Sequence, residues 1–460
     1  MTTLFSVESE QSVLGALLLD PKVFDRIDWL AESDFYRDDH RLIYRHISLL
    51  LAARKPVDVV TVAEAMASAG IPEETCGLAY LGELAANTPS AANIARYAES
   101  VRDKRLLRDL MAVSAKVAEI ASSQSTEPVA ERIDAAQALV FELGDNTQIE
   151  RRDAEPVSAI LPDVVSDIQE RFERGGAITG LATGFPDIDA KTFGLNPADL
   201  ILIAGRPSMG KTAFALNIAE HVAINDNLPV LVFSMEMGRR QLSERSLASV
   251  GKIALGRIRT GRLLEAEDDF GRLGVAIGKL VNAKLIIDDR AALSVAQMRS
   301  QCRRVARRHG LSLVVVDYIQ LARGEGQSRE QEVSGISRGL KAIAKEFNVP
   351  VIALSQLSRK VEERQNKRPV LSDLRESGAL EQDADLVLMM YRDEYYDANS
   401  PDKGVTEVMI AKQRMGETGM VPLIFQGEYS RFESMSREAQ QAMFEARRTQ
   451  YKPMRRRGIE

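Results

Sequence analysis

Apolar positions recur at helical spacing through the first third of the chain and give way to short, β-branched runs in the remainder. Val13, Leu14, Leu17 and Leu18 share one face of a helix predicted within Gln11–Asp20, and Ile43, Ile47, Leu50 and Leu51 share one within Arg41–Leu51. Gly70-Ile71-Pro72 and Asn87-Thr88-Pro89-Ser90 interrupt this pattern and supply breaks and caps, so residues 1–150 read as an all-α domain. Composition turns polar from Gly144 to Pro156. Val157 to Arg174 then predicts one amphipathic helix, bounded by Pro156 and Gly175-Gly176 within a linker spanning 151–180. Its Ile160, Leu161, Val164, Val165, Ile168 and Phe172 form an apolar stripe that needs a partner, and a neighbouring subunit satisfies the pattern as well as its own domain does.

From residue 181 strands alternate with helices. The predicted strands are Leu200–Ala204, Val230–Ser234, Lys284–Asp288, Leu313–Asp317, Val349–Leu354, Ala384–Tyr391, Thr406–Ala411 and Met420–Phe425. Val333, Ile336, Leu340, Ile343 and Phe347 repeat at helical spacing and are assigned to core. Such alternation predicts an α/β domain over 181–440, a doubly wound and mostly parallel sheet. A short loop between the last two runs makes that end antiparallel. Residues 441–460 read as a polar tail with the basic run Lys452-Pro453-Met454-Arg455-Arg456-Arg457, whose plain reading is a solvated end.

Composition narrows the class. At 460 residues with 45% hydrophobic content the chain can bury several cores. No apolar run is long enough to cross a bilayer and no charged-then-apolar leader follows Met1, so a cytoplasmic protein is expected. Cys76 and Cys302 stand far apart, and His40, His46, His221 and His309 show no metal-ligand spacing, which leaves neither a disulfide framework nor a zinc site. With a net charge of −6, any nucleic acid must be held by a local channel.

The chemistry concentrates where the first strand ends. Gly205-Arg206-Pro207-Ser208-Met209-Gly210-Lys211-Thr212 is a complete phosphate-binding loop, entered from Leu200–Ala204 and leaving into a helix that begins near Ala213. Glycine allows the sharp turn, backbone N–H groups meet phosphate oxygens, Lys211 neutralises the β- and γ-phosphates of ATP, and the Thr212 hydroxyl ligates Mg²⁺. A plain strand-to-helix turn with a surface lysine does not require the whole motif. Asp317 closes an apolar strand and fits the Mg²⁺ shell. It is followed by Tyr318 rather than a second acid, so the carboxylate that activates water must come from elsewhere. Glu236, just past Val230–Ser234, is the candidate general base. Two polar stretches, Ala322–Glu332 and Ser358–Gln382, could line a pore. The second carries Arg359, Lys360, Arg364, Lys367, Arg368 and Arg375, and its scarcity of aromatics favours a grip on phosphates over base stacking.

The order of these segments resembles the DnaB family of bacterial replicative DNA helicases over nearly the whole chain. The resemblance rests on Gly205–Thr212, Phe233-Ser234-Met235-Glu236-Met237, the strand ending at Asp317, Ser355-Gln356-Leu357, Ser372-Asp373-Leu374-Arg375-Glu376-Ser377-Gly378, and Lys412-Gln413-Arg414-Met415-Gly416-Glu417-Thr418-Gly419. The Arg-Glu-Ser-Gly segment and the Lys-Gln-Arg loop are its most specific parts. Lys191-Thr192-Phe193-Gly194-Leu195 departs from the family's usual Thr-Gly-Leu turn, outside the chemistry.

The resemblance implies a RecA-like motor domain in a homohexameric ring, with each ATP between two subunits. It implies unwinding of forked duplex DNA by 5′→3′ movement on single-stranded DNA, participation in priming, and partners that include primase and a helicase loader. It places Ser208, Gly210, Lys211, Thr212, Ala213 and Arg245 on the nucleotide, with Gln356 as a switch that senses the γ-phosphate. Lys412, Gln413 and Arg414 come to it from the loop after a strand of the adjacent subunit; solvated hairpin charges are the plain reading without the family. Arg375, Glu376 and Gly378 correspond to its DNA-backbone loop. The helical amino-terminal domain becomes a collar, the linker helix docks on the next motor domain, and the protein works at forks in the nucleoid. The alternative on the same core is a RecA-like recombinase or another DNA-stimulated ATPase without unwinding activity.

Overall fold

The computed structural model describes residues 4–73, 77–88, 90–123, 156–173, 178–324, 328–414 and 416–450, with scattered positions between 129 and 143. It divides into two compact units, Met1–Ala159 and Ile160–Glu460.

The first unit is helical throughout its described residues: α1 (Val7–Leu19), α2 (Asp38–Ala52), α3 (Val59–Ser68), α4 (Leu78–Asn87) and α5 (Ile94–Ser122). The predicted stripes are its core, with Val13, Leu14 and Leu17 of α1 buried against Ile43 and Ile47 of α2, beside Phe35, Met66, Leu81 and Ile94. Local chemistry sets the starts. The Ser6 hydroxyl accepts from Ser9 N–H at 3.3 Å to open α1, and the Asp58 carboxylate accepts from Val60 and Thr61 N–H to open α3. Gly70 follows α3 with φ +78°, while Ser90 caps the turn that leads into α5; Pro89 and Cys76 lie outside the described residues. His40 is a core residue, fully buried, with Nδ1 2.7 Å from Glu10 and Nε2 2.8 Å from the Tyr80 hydroxyl.

Helix α6 (Val157–Glu173) forms where the linker pattern predicts it. Val157, Ile160, Leu161, Val164, Val165, Ile168 and Phe172 are all exposed along it.

In the second unit α7 (Pro186–Thr192) precedes β1 (Leu200–Gly205), α8 (Lys211–Glu220), β2 (Val230–Ser234), α9 (Arg239–Gly251), α10 (Leu255–Thr260), α11 (Asp269–Asn282) and β3 (Leu285–Asp288). Then come α12 (Val295–His309), β4 (Leu313–Asp317), α13 (Arg329–Phe347), β5 (Val351–Gln356), α14 (Gly378–Asp383) and β6 (Leu386–Tyr391). β7 (Val405–Gln413), β8 (Gly419–Gln426), β9 (Arg431–Ser434) and α15 (Arg437–Gln450) finish it. The strands form one sheet in the order β3-β2-β4-β5-β1-β6-β7-β8-β9, parallel from β3 to β6 and antiparallel thereafter. All eight predicted strands are present. Val349 and Pro350 stay outside β5, since proline has no N–H to give the ladder. The ninth strand has no counterpart in the pattern: Arg431-Phe432-Glu433-Ser434 holds one apolar residue and owes its conformation to pairing with β8.

Both faces of the parallel part are covered, which is why its strands read as continuous apolar runs. Ile201, Ile203, Val230, Val232, Val315 and Ile352 pack with α8 on one side. Leu200, Leu202, Phe233, Val314, Val316 and Val351 pack with α12 and α13 on the other, where Val333, Ile336, Leu340 and Ile343 are buried as their spacing predicts. Register then brings strand ends together. Ser234 of β2 lies beside Asp317 of β4, and Gly205 of β1 beside Gln356 of β5, all on one edge of the sheet. At the opposite edge, Leu200 N–H, the first of β1, donates to the buried Asp385 carboxylate at 2.8 Å.

One buried acid carries a pH-dependent cost. Glu220 ends α8 almost fully buried; one carboxylate oxygen accepts from Ser249 Oγ at 2.7 Å and Asn217 Nδ2 at 3.2 Å, while Oε1 has no hydrogen-bond partner among the described residues. Burial pushes this carboxyl up to about 7, the hydrogen bonds from Ser249, Ser246 and Asn217 opposing it. A carboxyl raised above its unfolded value favours folding below that value, and the contribution is lost as pH rises through the folded one. The second unit should therefore lose up to roughly 3 kcal/mol from this group between its unfolded range and pH 8. Glu220→Gln should unfold at higher denaturant than the parent at pH 8, with the advantage shrinking towards pH 5. Denaturant titrations followed by circular dichroism at both pH values check this.

Candidate nucleotide site

β1 hands the chain to the phosphate loop at Gly205. Ser208 takes φ +66° and Gly210 φ +91°, so the loop curls and its N–H groups converge ahead of α8. Gly210 is required twice over, since its backbone is left-handed and a Cβ there would lie 2.8 Å from the Phe432 ring. Met209 is buried and anchors the loop from below. Lys211, Thr212 and Ala213 carry the first amides of α8, the positive end of its dipole, directly after the loop residues Ser208 and Gly210.

The side chains around the loop form one coupled cluster. Lys211 donates to the carbonyls of Gly205 at 2.9 Å and Arg206 at 3.1 Å. Burial pushes its ammonium down to about 8, against the attraction of Asp317 and Glu236. Asp317 is buried and pushed up to about 6, first by burial; a bond from the Thr212 hydroxyl opposes the shift and the nearby Glu236 adds to it. Its Oδ2 is buried with no hydrogen-bond partner among the described residues. A hydroxyl and an unsatisfied carboxylate oxygen side by side suit a hard, oxygen-seeking cation such as Mg²⁺. No group of three or more His, Cys, Asp or Glu gathers for a metal among the described residues.

Glu236 is exposed two residues beyond β2, and Met235 N–H, just before it, bonds the Asp317 carbonyl at 2.8 Å. Arg245 of α9, with burial lowering its pKa, feels both acids and lines a cavity of about 290 Å³ with Glu236, Met237, Gln241, Glu244, Leu255 and Arg259. Gln356 ends β5, exposed, level with Gly205, and its main chain is clasped by the Gln320 amide. Phosphate loop, acid pair, arginine and glutamine therefore meet at one edge of the sheet.

Lys412, Gln413 and Arg414 lie elsewhere. Lys412 and Gln413 belong to β7 itself rather than to the loop after it, because pairing with β6 continues past a one-residue irregularity at Ala411. The Lys412 ammonium donates to the carbonyls of Glu381, Gln382 and Ala384, and burial, then Arg414, holds its pKa low. Gln413 donates to the Lys191 carbonyl at 3.1 Å. Arg414, half-exposed, meets Asp385 at 3.0 Å. Asp385 binds the first residue of β1, whereas the phosphate loop leaves the last, roughly 16 Å away along the strand. No arginine side chain spans that distance, so Arg414 cannot serve this chain's own phosphate loop.

The basic segment is less free than its composition suggests. Arg364 pairs with Asp373 at 2.6 Å, Arg368 grips Glu407 through two bonds of 2.7 and 2.8 Å, and Lys367 sits over the Tyr396 ring at 4.8 Å. Arg368 ties the segment to β7, Lys367 to the turn after β6, and Arg364 closes the segment on itself, while Arg359 and Lys360 are exposed. Arg375 and Glu376 fall in the helical turn Leu371–Ser377, directly before Gly378 and α14; their side chains are outside the described positions, as are residues 325–327 of the first polar stretch. Two residues have roles the pattern does not reveal. Arg206, buried within the loop motif, donates to Glu362 and to the Leu357 carbonyl at 2.8 and 2.9 Å, tying the loop to the segment after Gln356. Asp385 heads an apolar run, where an acid carries no local signal.

A phosphate loop on the central strand, with one acid ending β4 and another just past β2 in this strand order, defines a RecA-like nucleotide-driven motor. Residues 180–434 match the DnaB-like helicase C terminal domain and residues 2–103 the DnaB-like helicase N terminal domain. The chain is 46% identical to the replicative DNA helicase DnaB of Pasteurella multocida over 94% of each chain, and 43% identical to the replicative DNA helicase DnaC of Bacillus subtilis over 94% of this chain and 95% of the relative. A solved structure described as a DnaB-like replicative helicase and its interactions with primase superposes with a TM-score of 0.74 at 35% identity, covering 93% of this chain and 99% of that one. The chain belongs to the DnaB-like replicative helicase family.

Gly210→Ala should strain the loop by about 1–3 kcal/mol and push it off the Phe432 ring. Equilibrium titration with a fluorescent ATP analogue should show affinity reduced by about tenfold or more, since each 1.4 kcal/mol is a factor of ten; unchanged affinity would show that the loop tolerates a side chain there.

Proposed function

We propose that the chain is the subunit of an ATP-dependent replicative DNA helicase that works as a homohexameric ring, each nucleotide lying between two subunits. The observation that carries this reading is the length of β1 between the phosphate loop and Arg414: with the finger out of its own loop's reach, the site is complete only when another copy supplies it. Lys211, with the amides of Ser208, Gly210, Thr212 and Ala213, binds the triphosphate, and Arg245 lies alongside it. Thr212 and Asp317 would hold Mg²⁺, whose charge would offset that of the phosphates. Glu236 takes the proton of the attacking water. Lys412, Gln413 and Arg414 of the adjacent subunit face the γ-phosphate, and cations that arrive only when the interface closes stabilise the transferred phosphoryl group at that moment.

Gln356 reads the γ-phosphate beside Gly205 and passes its state along the segment tied to the loop by Arg206. Arg375 and the amides around Glu376 and Gly378 grip the backbone of one DNA strand, a sequence-independent and salt-sensitive contact suited to a motor that must pass every sequence. Successive hydrolysis moves the ring 5′→3′ and excludes the other strand of a forked duplex. The exposed stripe of α6 docks on a neighbouring motor unit, for which Phe270, Val275, Ile277 and Val281 of α11 offer a matching exposed apolar face. The helical unit forms the collar and meets primase during priming, and a loader opens the ring on DNA. The protein acts in the cytoplasm at forks in the nucleoid; among the described residues no helix is long and apolar enough to cross a membrane.

Strand displacement on a forked duplex with ATP and Mg²⁺ tests this reading. The wild-type protein should unwind only when a single-stranded tail is present, Lys211→Ala should not unwind, and Glu236→Gln should bind ATP yet lose turnover by about a hundredfold or more. DNA-stimulated hydrolysis without displacement would favour a recombinase-like motor instead.

A further inference from the structure

Among the described residues, Asp385 is the one acid that pairs with both the first residue of the phosphate-loop strand and the cation assigned to the neighbour's ATP. It is 5% exposed. Oδ2 accepts from Leu200 N–H at 2.8 Å and pairs with Lys341, while Oδ1 takes Arg414 Nη1 at 3.0 Å. Its carbonyl also receives Arg414 N–H at 3.1 Å, so one residue fixes both the backbone and the guanidinium of the finger. Arg414 has no other hydrogen-bond or ion-pair partner among the described residues, and its side chain is 56% exposed. A guanidinium has five N–H donors; a single tether at Nη1 sets its origin and direction and leaves the rest of the fork free. Lys412 is held in the same way, by the carbonyls of Glu381, Gln382 and Ala384 that lead into Asp385.

We propose that Asp385 is the positioning residue for Arg414, fixing where the guanidinium stands when the adjacent subunit's nucleotide closes against it. This rests on the reading that Arg414 acts across a subunit interface. A half-exposed arginine next to a strand end otherwise samples many rotamers, and holding it in one lowers the entropy lost at the transition state. Asp385 touches no nucleotide, so its effect belongs to turnover and leaves binding alone.

The test uses the full chain with single-stranded DNA and Mg²⁺, measuring steady-state ATP hydrolysis by Asp385→Asn and Asp385→Glu. The first removes the charge. The second keeps it and moves it by about one methylene, which guards against a loss caused only by misfolding. In both, kcat should fall by about tenfold or more while KM for ATP stays within about twofold, because the phosphate loop is intact. Coexpression with Lys211→Ala should restore part of the activity, since a mixed interface joins an intact loop to a correctly held Arg414; Arg414→Ala is carried in parallel. Near-normal kcat in both Asp385 variants overturns the proposal. So does a loss that Lys211→Ala fails to rescue while it does rescue Arg414→Ala, which leaves the trans reading standing. If Arg414→Ala is not rescued either, the trans reading falls and this inference falls with it.

Discussion

The structure turns on the length of one buried strand. β1 carries the phosphate loop at one end and, through Leu200 and Asp385, the tether of Arg414 at the other. Its six residues are buried on both faces, so the two ends cannot approach each other without dismantling the core. Arg414 therefore stands about a strand's length from the phosphate loop of its own chain. That separation is set by the strand itself rather than by the side chains around either end.

Electrostatics at the nucleotide edge follow from the same burial. Lys211 and Asp317 are each driven towards their neutral forms, to about 8 and about 6, yet stay close enough to feel each other. An unsatisfied Asp317 oxygen, a lysine held by its own loop's carbonyls and an arginine that burial disfavours make a site whose charges are incompletely balanced by protein alone. Elsewhere in the motor unit, charges that look available for DNA are already committed. Arg364 pairs with Asp373 inside the basic segment and Arg368 ties the segment to Glu407 of β7, so its net positive composition overstates the surface it offers.

Some apolar surface is left uncovered. The stripe on α6 and α11 each expose several large aliphatic or aromatic side chains, more than scattered surface hydrophobics account for. In the helical unit, Val117, Ile120, Ala121, Val129, Ile133 and Val140 line an apolar cavity of about 570 Å³.

What the sequence determined by itself was everything governed by local spacing. The phosphate loop, the eight apolar strand runs, the helix stripes at Val13–Leu18 and Val333–Ile343, and the amphipathic linker helix all declare themselves within a few residues, because backbone geometry repeats at fixed periods and phosphate binding needs a fixed loop. Asp317 and Glu236 were legible for the same reason, as acids at or just beyond strand ends. Tertiary structure alone decided which strand ends share an edge, and hence that Gln356 sits beside Gly205 while Arg414 is a strand's length away. It placed Lys412 within β7, supplied β9 with a partner that its composition does not demand, and turned Asp385 from an unremarked acid into the anchor of Arg414. These outcomes depend on pairing between residues far apart in the chain, and no local pattern encodes such a distance.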